Sequence, residues 1–271
     1  MKLELRTVFG ELIFEGDFSS VAELVKAALA AKKSLRSANL RFADLRSANL
    51  RSADLRSANL NSANLRSADL SSADLSSADL NSADLNSADL NFADLRFADL
   101  RSANLRSANL RSADLRSADL RSAYLSSADL RSANLRSADL SFANLRSADL
   151  RSADLSAIKN DFWEILMRAK REVPFLRTAL VEGRVNGSSY SGECACLVGT
   201  IANARGCSYA GLAGIAPDAS RPAERFFLAI LPGCTPDKSQ HAKLALEWLD
   251  EWQAIMDSPA LVSAAEPGAT E

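Results

Sequence analysis

The sequence predicts a mainly β solenoid set between two flanking pieces, a small hairpin-helix cap before it and an all-α domain after it. Three observations predict this class. From Arg36 to Leu155 the chain is a five-residue unit, x-Ser-Ala-Asp/Asn-Leu, repeated 24 times without insertion. Leu falls at every fifth position from Leu40 to Leu155, and Ala two residues before it from Ala38 to Ala153. On both sides the register is lost and the composition becomes mixed, so the repeat is one architectural block.

Regular secondary structure cannot use this pattern. An α-helix advances about 100° per residue, so five residues leave a net rotation of about 140° and scatter the leucines around the axis. In a flat strand Ala and Leu share a face, but an odd repeat sends the next pair to the opposite face. Disorder does not fit 24 Ala and 24 Leu held in strict register. A corner in every unit satisfies the pattern, with Ala and Leu inward and the other three positions outward. Such a coil stacks on itself at about 4.8 Å and leaves a closely filled interior without a ligand cavity.

These units, A(D/N)LXX with Leu as the central inward residue, resemble the pentapeptide repeat family. The resemblance implies a right-handed quadrilateral β-helix with four units per coil. The 24 units would then make about six coils, roughly 29 Å tall. It also implies work by binding, since some members are similar to B-form DNA, with carboxylates lining a rod, and bind DNA gyrase. Only Tyr124 departs from Asp/Asn before Leu.

The outward positions carry the candidate chemistry. The residue after each Leu, counted from Arg36 to Arg151, is Arg in 16 units and Ser or Asn in eight. The residue before Leu is Asp in 15 units, Asn in eight and Tyr once, so the repeat carries +1. A rod this neutral is a poor polyanion mimic overall. No basic residue stands between Arg66 and Arg96, however, and Asp69, Asp74, Asp79, Asp84, Asp89 and Asp94 are expected to form an unopposed acidic belt. The blander reading is a solvated face whose Asp and Asn side chains bond backbone amides at the corners. Direct nucleic-acid binding through Arg is not expected, because neighbouring Asp residues cancel the field. Phe42, Phe92, Phe97 and Phe142 replace the outward Ser. Phe42 and Phe142 fall on one face near opposite ends and are expected to dock the protein's own flanks. Phe92 and Phe97 fall on adjacent faces mid-rod and suit a partner.

A solenoid end needs a cap. Lys2 to Phe9 alternates, Gly10 offers a turn and Glu11 to Glu15 continues, which predicts a hairpin. Ser20 and Glu23 predict a capping box opening a helix from Val21 to about Lys33, with Val21, Leu24, Val25 and Ala28 on its apolar stripe. Similar openings precede pentapeptide repeats in other bacterial and phage proteins. After Leu155, Asn160 is expected to cap a helix through Arg171, with Phe162, Ile165, Leu166 and Ala169 buried. Pro174 opens a second helix ended by Gly183, Ser191 caps a third to about Ala204, and Ser220 caps a fourth stopped by Pro232. Thr235-Pro236 opens the last, to about Met256, with Leu244, Trp248, Trp252 and Met256 recurring every four residues. The expected divisions are therefore a cap at 1–35, a β-helix at 36–155, a helical domain at 156–257 and a loose tail at 258–271. The stretch from Tyr190 to Gly206 is similar to C-terminal regions appended to bacterial and phage-associated pentapeptide repeat proteins.

Enzyme signatures are weak. Cys194, Cys196, Cys207 and Cys234 include one C-x-C pair but no paired CxxC knuckles, so small buried hydrophobes are expected rather than a metal site. His241 beside Gln240 and Lys243 reads as a surface residue rather than half of a nucleophilic dyad. Glu193, Asn203 and Arg205 form the one polar cluster of interest in the helical domain. The N-terminus lacks the apolar run of a signal peptide and no stretch suits a bilayer span, so a cytoplasmic protein is expected. The sequence thus predicts a non-enzymatic scaffold with no cofactor, binding a protein partner. Its candidate surface is Phe42, Phe92, Phe97 and Phe142 with Asp74, Asp79, Asp84 and Asp89. Gyrase-directed DNA mimicry is the alternative, and homodimerisation is possible through the exposed Phe residues.

Overall fold

The computed structural model describes residues 1–187, 196–212, 215, 218 and 220–258. The chain divides into two compact units, Met1–Ile158 with Ala219–Arg225, and Lys159–Asp218 with Phe226–Glu271.

The first unit opens with a hairpin, β1 (Lys2–Arg6) antiparallel to β2 (Leu12–Asp17), followed by α1 (Val21–Ala30). The Ser20 hydroxyl accepts from the Glu23 amide, as expected of an N-cap. The return arm differs from a capping box: the Glu23 carboxylate accepts from the amide and hydroxyl of Ser19, one residue earlier. Helix α1 stops at Ala30, three residues short of the expected end. Lys32 turns left-handed at φ +57°, and the Lys32 and Lys33 amides close back on Leu29 and Ala28 carbonyls. Leu24, Val25 and Ala28 are buried. The hairpin then joins the repeat by backbone: Val8 N–H donates to Ser37 O at 2.7 Å and Asn39 N–H to Arg6 O at 2.8 Å. Those bonds answer an edge that would otherwise be bare.

Within the repeat, each Asp/Asn position forms a parallel bridge with the one twenty residues later, from Asn39↔Asn59 to Asn134↔Asp154. Four units therefore complete one turn of the coil. Bridges, not strands, carry the stacking, and the extended strands among the described residues are β1 and β2. The reason is local. Four of the five residues in a unit serve a β-turn, in which Ala N–H donates to the Leu carbonyl three residues before, at 3.0 Å for Ala63 and Leu60. The third residue of every such turn is left-handed, with φ between +54° and +60° at all 24 Ser or Phe positions.

Every amide of a mid-coil unit has a partner, and this accounting explains the motif. The Leu60, Ser62 and Asp79 amides reach neighbouring coils, at Asp79 O (2.7 Å), Asn81 O (2.9 Å) and Ala58 O (2.9 Å). The Ala amide closes its turn. The amide after Leu has no carbonyl in reach and takes the side-chain oxygen two residues before it, as Asn61 N–H does with Asn59 Oδ1 at 3.0 Å. Asp and Asn both offer that oxygen, which is why either serves. Inside, every Ala and Leu from Leu50 to Leu150 is buried.

The last coil lacks a successor to take its edge. Arg225, from the segment grouped with this unit, donates from Nη2 to Phe142 O at 2.8 Å and from Nε to Ala143 O at 3.4 Å. That segment was expected to belong with the helical domain. A guanidinium fork suits free edge carbonyls.

The described residues that follow the repeat are mainly helical. Helix α2 (Ser156–Arg168) starts four residues before the expected Asn160, because Asp154 Oδ1 accepts from Ser156 N–H at 3.1 Å and the corner bond of the repeat opens it. Phe162, Ile165, Leu166 and Ala169 are buried as the stripe predicts. Helix α3 (Val173–Val181) has Pro174 in its first turn and ends before Gly183, at φ +69°. Helix α4 (Leu197–Arg205) ends on left-handed Gly206, and a 3-10 helix follows at Tyr209–Gly211. Helix α5 (Pro222–Phe227) is short and ends well before Pro232. Helix α6 (Gln240–Met256) begins five residues after Thr235, which instead holds a turn by accepting from the Lys238 and Ser239 amides. Ser239 caps it, and its buried stripe is His241, Ala242, Ala245, Trp248, Leu249 and Trp252. Ser191, Glu193, Cys194, the start of the Tyr190–Gly206 stretch and the tail from 259 onward lie outside the described residues.

Two stability predictions follow from the corner and the core. Tyr124 offers no acceptor to the Ser126 amide, so Tyr124→Asn is expected to stabilise the protein by about 1 kcal/mol in urea unfolding. No gain would mean that this amide is already satisfied. Leu95→Ala is expected to cost about 3 kcal/mol as a buried cavity, while Phe97→Asn on the adjacent exterior shifts stability by less than about 1 kcal/mol. Similar losses for both would contradict the inward-outward assignment.

Candidate functional site

The outer surface of the repeat is built of ladders spaced by one coil. Wherever Arg follows Asp by two residues in a unit, the pair tends to close as a fork. Arg116 Nε donates to Asp114 Oδ1 at 2.8 Å and Nη2 to Oδ2 at 2.6 Å, and Asp44, Asp54, Asp94, Asp99, Asp119 and Asp149 receive the same contact. Arg131 closes on Asp129 in the same way. Several of these arginines also approach the Asp of the next coil, as Arg96 does Asp114 at 3.7 Å and Arg131 does Asp149 at 3.6 Å. Hydrogen bonds from the Arg side chains hold the carboxyls of Asp94, Asp114, Asp119, Asp129 and Asp149 below the usual carboxylate range.

The expected acidic belt is only partly unopposed. Neighbours on the coil are about twenty residues apart, so a run free of Arg in sequence still faces Arg from the coils on either side. Asp74 lies 3.5 Å from Arg56, Asp84 lies 3.9 Å from Arg66, and Asp94 closes on Arg96. Asp79 and Asp89 make no ion pair among the described residues. All of them spend an oxygen at the corners: Asp74, Asp79, Asp84 and Asp89 accept from the amides of Ser76, Asn81, Asn86 and Asn91. Asp84 and Asp89 also accept from Asn104 and Asn109 side chains of the next coil, both at 2.9 Å.

The four Phe residues differ in their surroundings. Phe92 and Phe97 are 62% and 64% exposed on their adjacent corners. Phe97 forms one wall of a groove of about 260 Å³ with Arg96, Arg116, Ser117, Arg136 and Ser137. Phe42 is equally exposed, and what covers its ring is Arg41 of the same unit, 4.5 Å from the centroid, rather than a flank. At Phe142 the later segment does arrive, with Arg225 6.0 Å above the ring. Arg225 was missed in the sequence, where it is one more charge on an amphipathic helix. Tyr124 takes Arg106 over its ring at 4.6 Å.

In the helical unit, His241, Asn203, Arg205, Cys196, Cys207 and Cys234 are the residues singled out earlier that fall among the described ones. His241 is buried rather than at the surface, because it lies on the stripe of α6 that also buries Ala245 and Trp248. Its ring sits 5.0 Å from Phe226, Nε2 meets no hydrogen-bond partner among the described residues, and burial pushes its pKa down to about 4. Arg205 bonds Glu172 at 3.0 Å and the Arg168 carbonyl at 3.0 Å, bracing α4 against the start of α3. The cysteines do not share one environment: Cys196 is buried, Cys234 half-buried and Cys207 exposed. Among the described residues no group of His, Cys, Asp or Glu is arranged to hold a metal ion, and no helix is long and apolar enough to cross a membrane.

Comparison with known proteins agrees with the repeat geometry. The family model for pentapeptide repeats matches in eight copies, over residues 34–71, 68–106, 83–121 and 123–157. Among solved structures, the chain is similar to a pentapeptide repeat protein of the Arabidopsis thaliana thylakoid lumen, at 27% identity over 37% of this chain and 70% of that one, with a TM-score of 0.37. It is also similar to a pentapeptide repeat protein from Nostoc PCC 7120, at 40% identity over 34% of this chain and 75% of that one, with a TM-score of 0.31. QnrB1, a plasmid-mediated fluoroquinolone resistance protein, is 22% identical over 42% of this chain and 63% of that one, with a TM-score of 0.30. A search of curated proteins finds no match. Corner, core and twenty-residue stacking lead to the same place as the family model: the chain belongs to the pentapeptide repeat family, and its repeat is a right-handed β-helix solenoid.

Proposed function

We propose that this protein is a non-enzymatic scaffold of the cytoplasm that presents fixed outward side chains to a protein partner. On this reading residues 1–35 are the cap and 36–155 a display rod of about six coils. Residues 156–257 are the all-α domain and 258–271 the tail. The observation that carries the reading is the contrast between the filled Ala/Leu interior and the Phe97 groove, where an exposed aromatic stands beside three arginines in line. Aromatic and Arg side chains held on a rigid backbone lose little entropy on binding and are frequent anchors of interfaces.

The alternative is a DNA-mimic binder of a type II topoisomerase. The family resemblance raises it, and the ion-pair-free carboxylates of Asp79 and Asp89 favour it over a fully quenched surface. Because Asn keeps the corner acceptor, changing Asp74, Asp79, Asp84 and Asp89 to Asn is expected to leave the unfolding midpoint within a few degrees of the parent. That variant separates charge from fold.

The two readings are distinguished by capture from bacterial lysate with the whole chain, the Phe92→Ser/Phe97→Ser variant and the fourfold Asp→Asn variant. The scaffold reading expects a partner lost only with the Phe variant. A partner retained by both variants would remove these ladders from consideration. Inhibition of gyrase supercoiling by the parent, abolished in the fourfold Asn variant, would install the alternative. Self-association through Phe92 and Phe97 predicts a dimer mass in light scattering that falls to the monomer in the Phe variant. A monomer in both dismisses it.

A further inference from the structure

We propose that the cleft between the end of α1 and the first coils binds a phosphate-bearing anion through its phosphate groups. The cleft, of about 570 Å³, has Lys26, Lys32 and Lys33 on one wall with Ser34, and Arg51 and Ser52 on the other. None of these four cations forms an ion pair among the described residues, in contrast to the forked arginines along the rod. Arg51 lacks a fork because the residue two before it is Asn49, whose side-chain oxygen takes the Arg51 amide instead.

One carboxylate, Asp54, reaches this cleft, and its charge is already spent. It accepts from Ser34 Oγ at 2.8 Å and from Arg56 Nε and Nη2 at 2.7 and 2.8 Å. Four positive charges without a close ion pair therefore line one concavity, although Glu23 acts on Lys26 and Asp69 on Arg51 from farther away, and low-dielectric walls concentrate the field that remains. A simpler explanation covers part of this, because cations near a helix C-terminus favour the macrodipole. That accounts for Lys32 and Lys33 at the end of α1. It does not account for Arg51, which comes from the repeat, nor for the concavity between them.

The ligand class follows from the lining. Ammonium point charges with a single guanidinium suit clustered phosphate oxygens, and the hydroxyls of Ser34 and Ser52 add neutral donors. No aromatic lines the cleft to stack a base, so recognition falls on the phosphate chain. The volume lies within the range of small-molecule sites. Inorganic polyphosphate and a nucleoside triphosphate share this chemistry.

Calorimetric titration of the full chain with tripolyphosphate, and separately with metal-free ATP, tests the proposal. Saturable binding of tripolyphosphate is expected, weakening as salt is raised. It should fall by about tenfold or more in Lys32→Gln/Lys33→Gln/Arg51→Ser. Ser already occupies the Arg51 position in other units, for example Ser71, so the rod should persist, which circular dichroism checks. Lys26→Gln/Lys33→Gln, on exposed side chains of the cap alone, serves as the second variant. Arg111→Ser removes another Arg that follows Asn and lies outside the cleft, and it should bind like the parent. No saturable heat, undiminished binding in both cleft variants, or equal weakening by Arg111→Ser would overturn the site. Similar affinity for both anions supports recognition of the phosphate chain. Binding of ATP without tripolyphosphate overturns it.

Discussion

The bond from each corner amide to the Asp or Asn side chain two residues before it is the constraint from which the rest of this structure follows. A unit of five residues has five amides. Three reach neighbouring coils and one closes the turn, so a single donor remains in every unit. Left unpaired at the margin of a packed interior, such a donor costs about 1 to 3 kcal/mol, and the repeat presents it 24 times. A side-chain acceptor short enough to fold back over two residues solves this; Asp and Asn supply it along the repeat, and Ser34 Oγ does so for the Arg36 amide at the first corner. The corner in turn fixes a left-handed residue after it, which points Ser or Phe outward and brings Ala inward. Core and surface are consequences of one local hydrogen bond repeated.

This has an effect on how charge is read. An aspartate chosen for its corner oxygen brings a negative charge whether or not function needs it. The arginine two residues on then folds over that carboxylate as a fork, and the carboxylate of the next coil approaches the same guanidinium. Such half-exposed pairs contribute little stability each. Their consequence is a surface close to neutral, on which unquenched charge stands out. Asp79 and Asp89 on one side of that balance, and Lys26, Lys32, Lys33 and Arg51 on the other, are among the places where the pairing rule leaves a remainder, as are the other arginines that follow Asn, such as Arg111.

The solenoid was legible in the sequence because the period of five excludes every straight element. The hairpin, α1 and the buried stripe of α2 were legible too, from alternation and capping residues. What escaped were effects of the third dimension. The acidic run between Arg66 and Arg96 looked unopposed because sequence neighbours stood in for coil neighbours, and Arg56 and Arg66 come from the coil before. His241 looked like a surface residue because its flanks are polar, whereas its own position lies on the buried face of α6. Helix α2 began at Ser156 because the last corner bond of the repeat supplied its opening, a signal hidden in Asp154. Nothing in the order of residues announced that Arg225 would answer the carbonyls of Phe142 and Ala143, more than eighty positions away.

Uniformity itself constrains where function can sit. A partner that recognised only the common unit would find 24 nearly equivalent sites and no reason to prefer one, so a specific contact must use departures from it. The repeat also carries no internal mark of where it starts or stops. Its ends are defined from outside, by Arg6 and Val8 pairing with the first unit and by Arg225 at the last coil. The informative positions are therefore few: the Phe corners, Tyr124, the carboxylates without an Arg, and the junction where the cap meets the coil. At that junction a cleft brings four cations together without a close ion pair, on a surface largely organised to cancel charge. A selective ligand would have to find such an irregularity, since the ladders themselves say the same thing at every step.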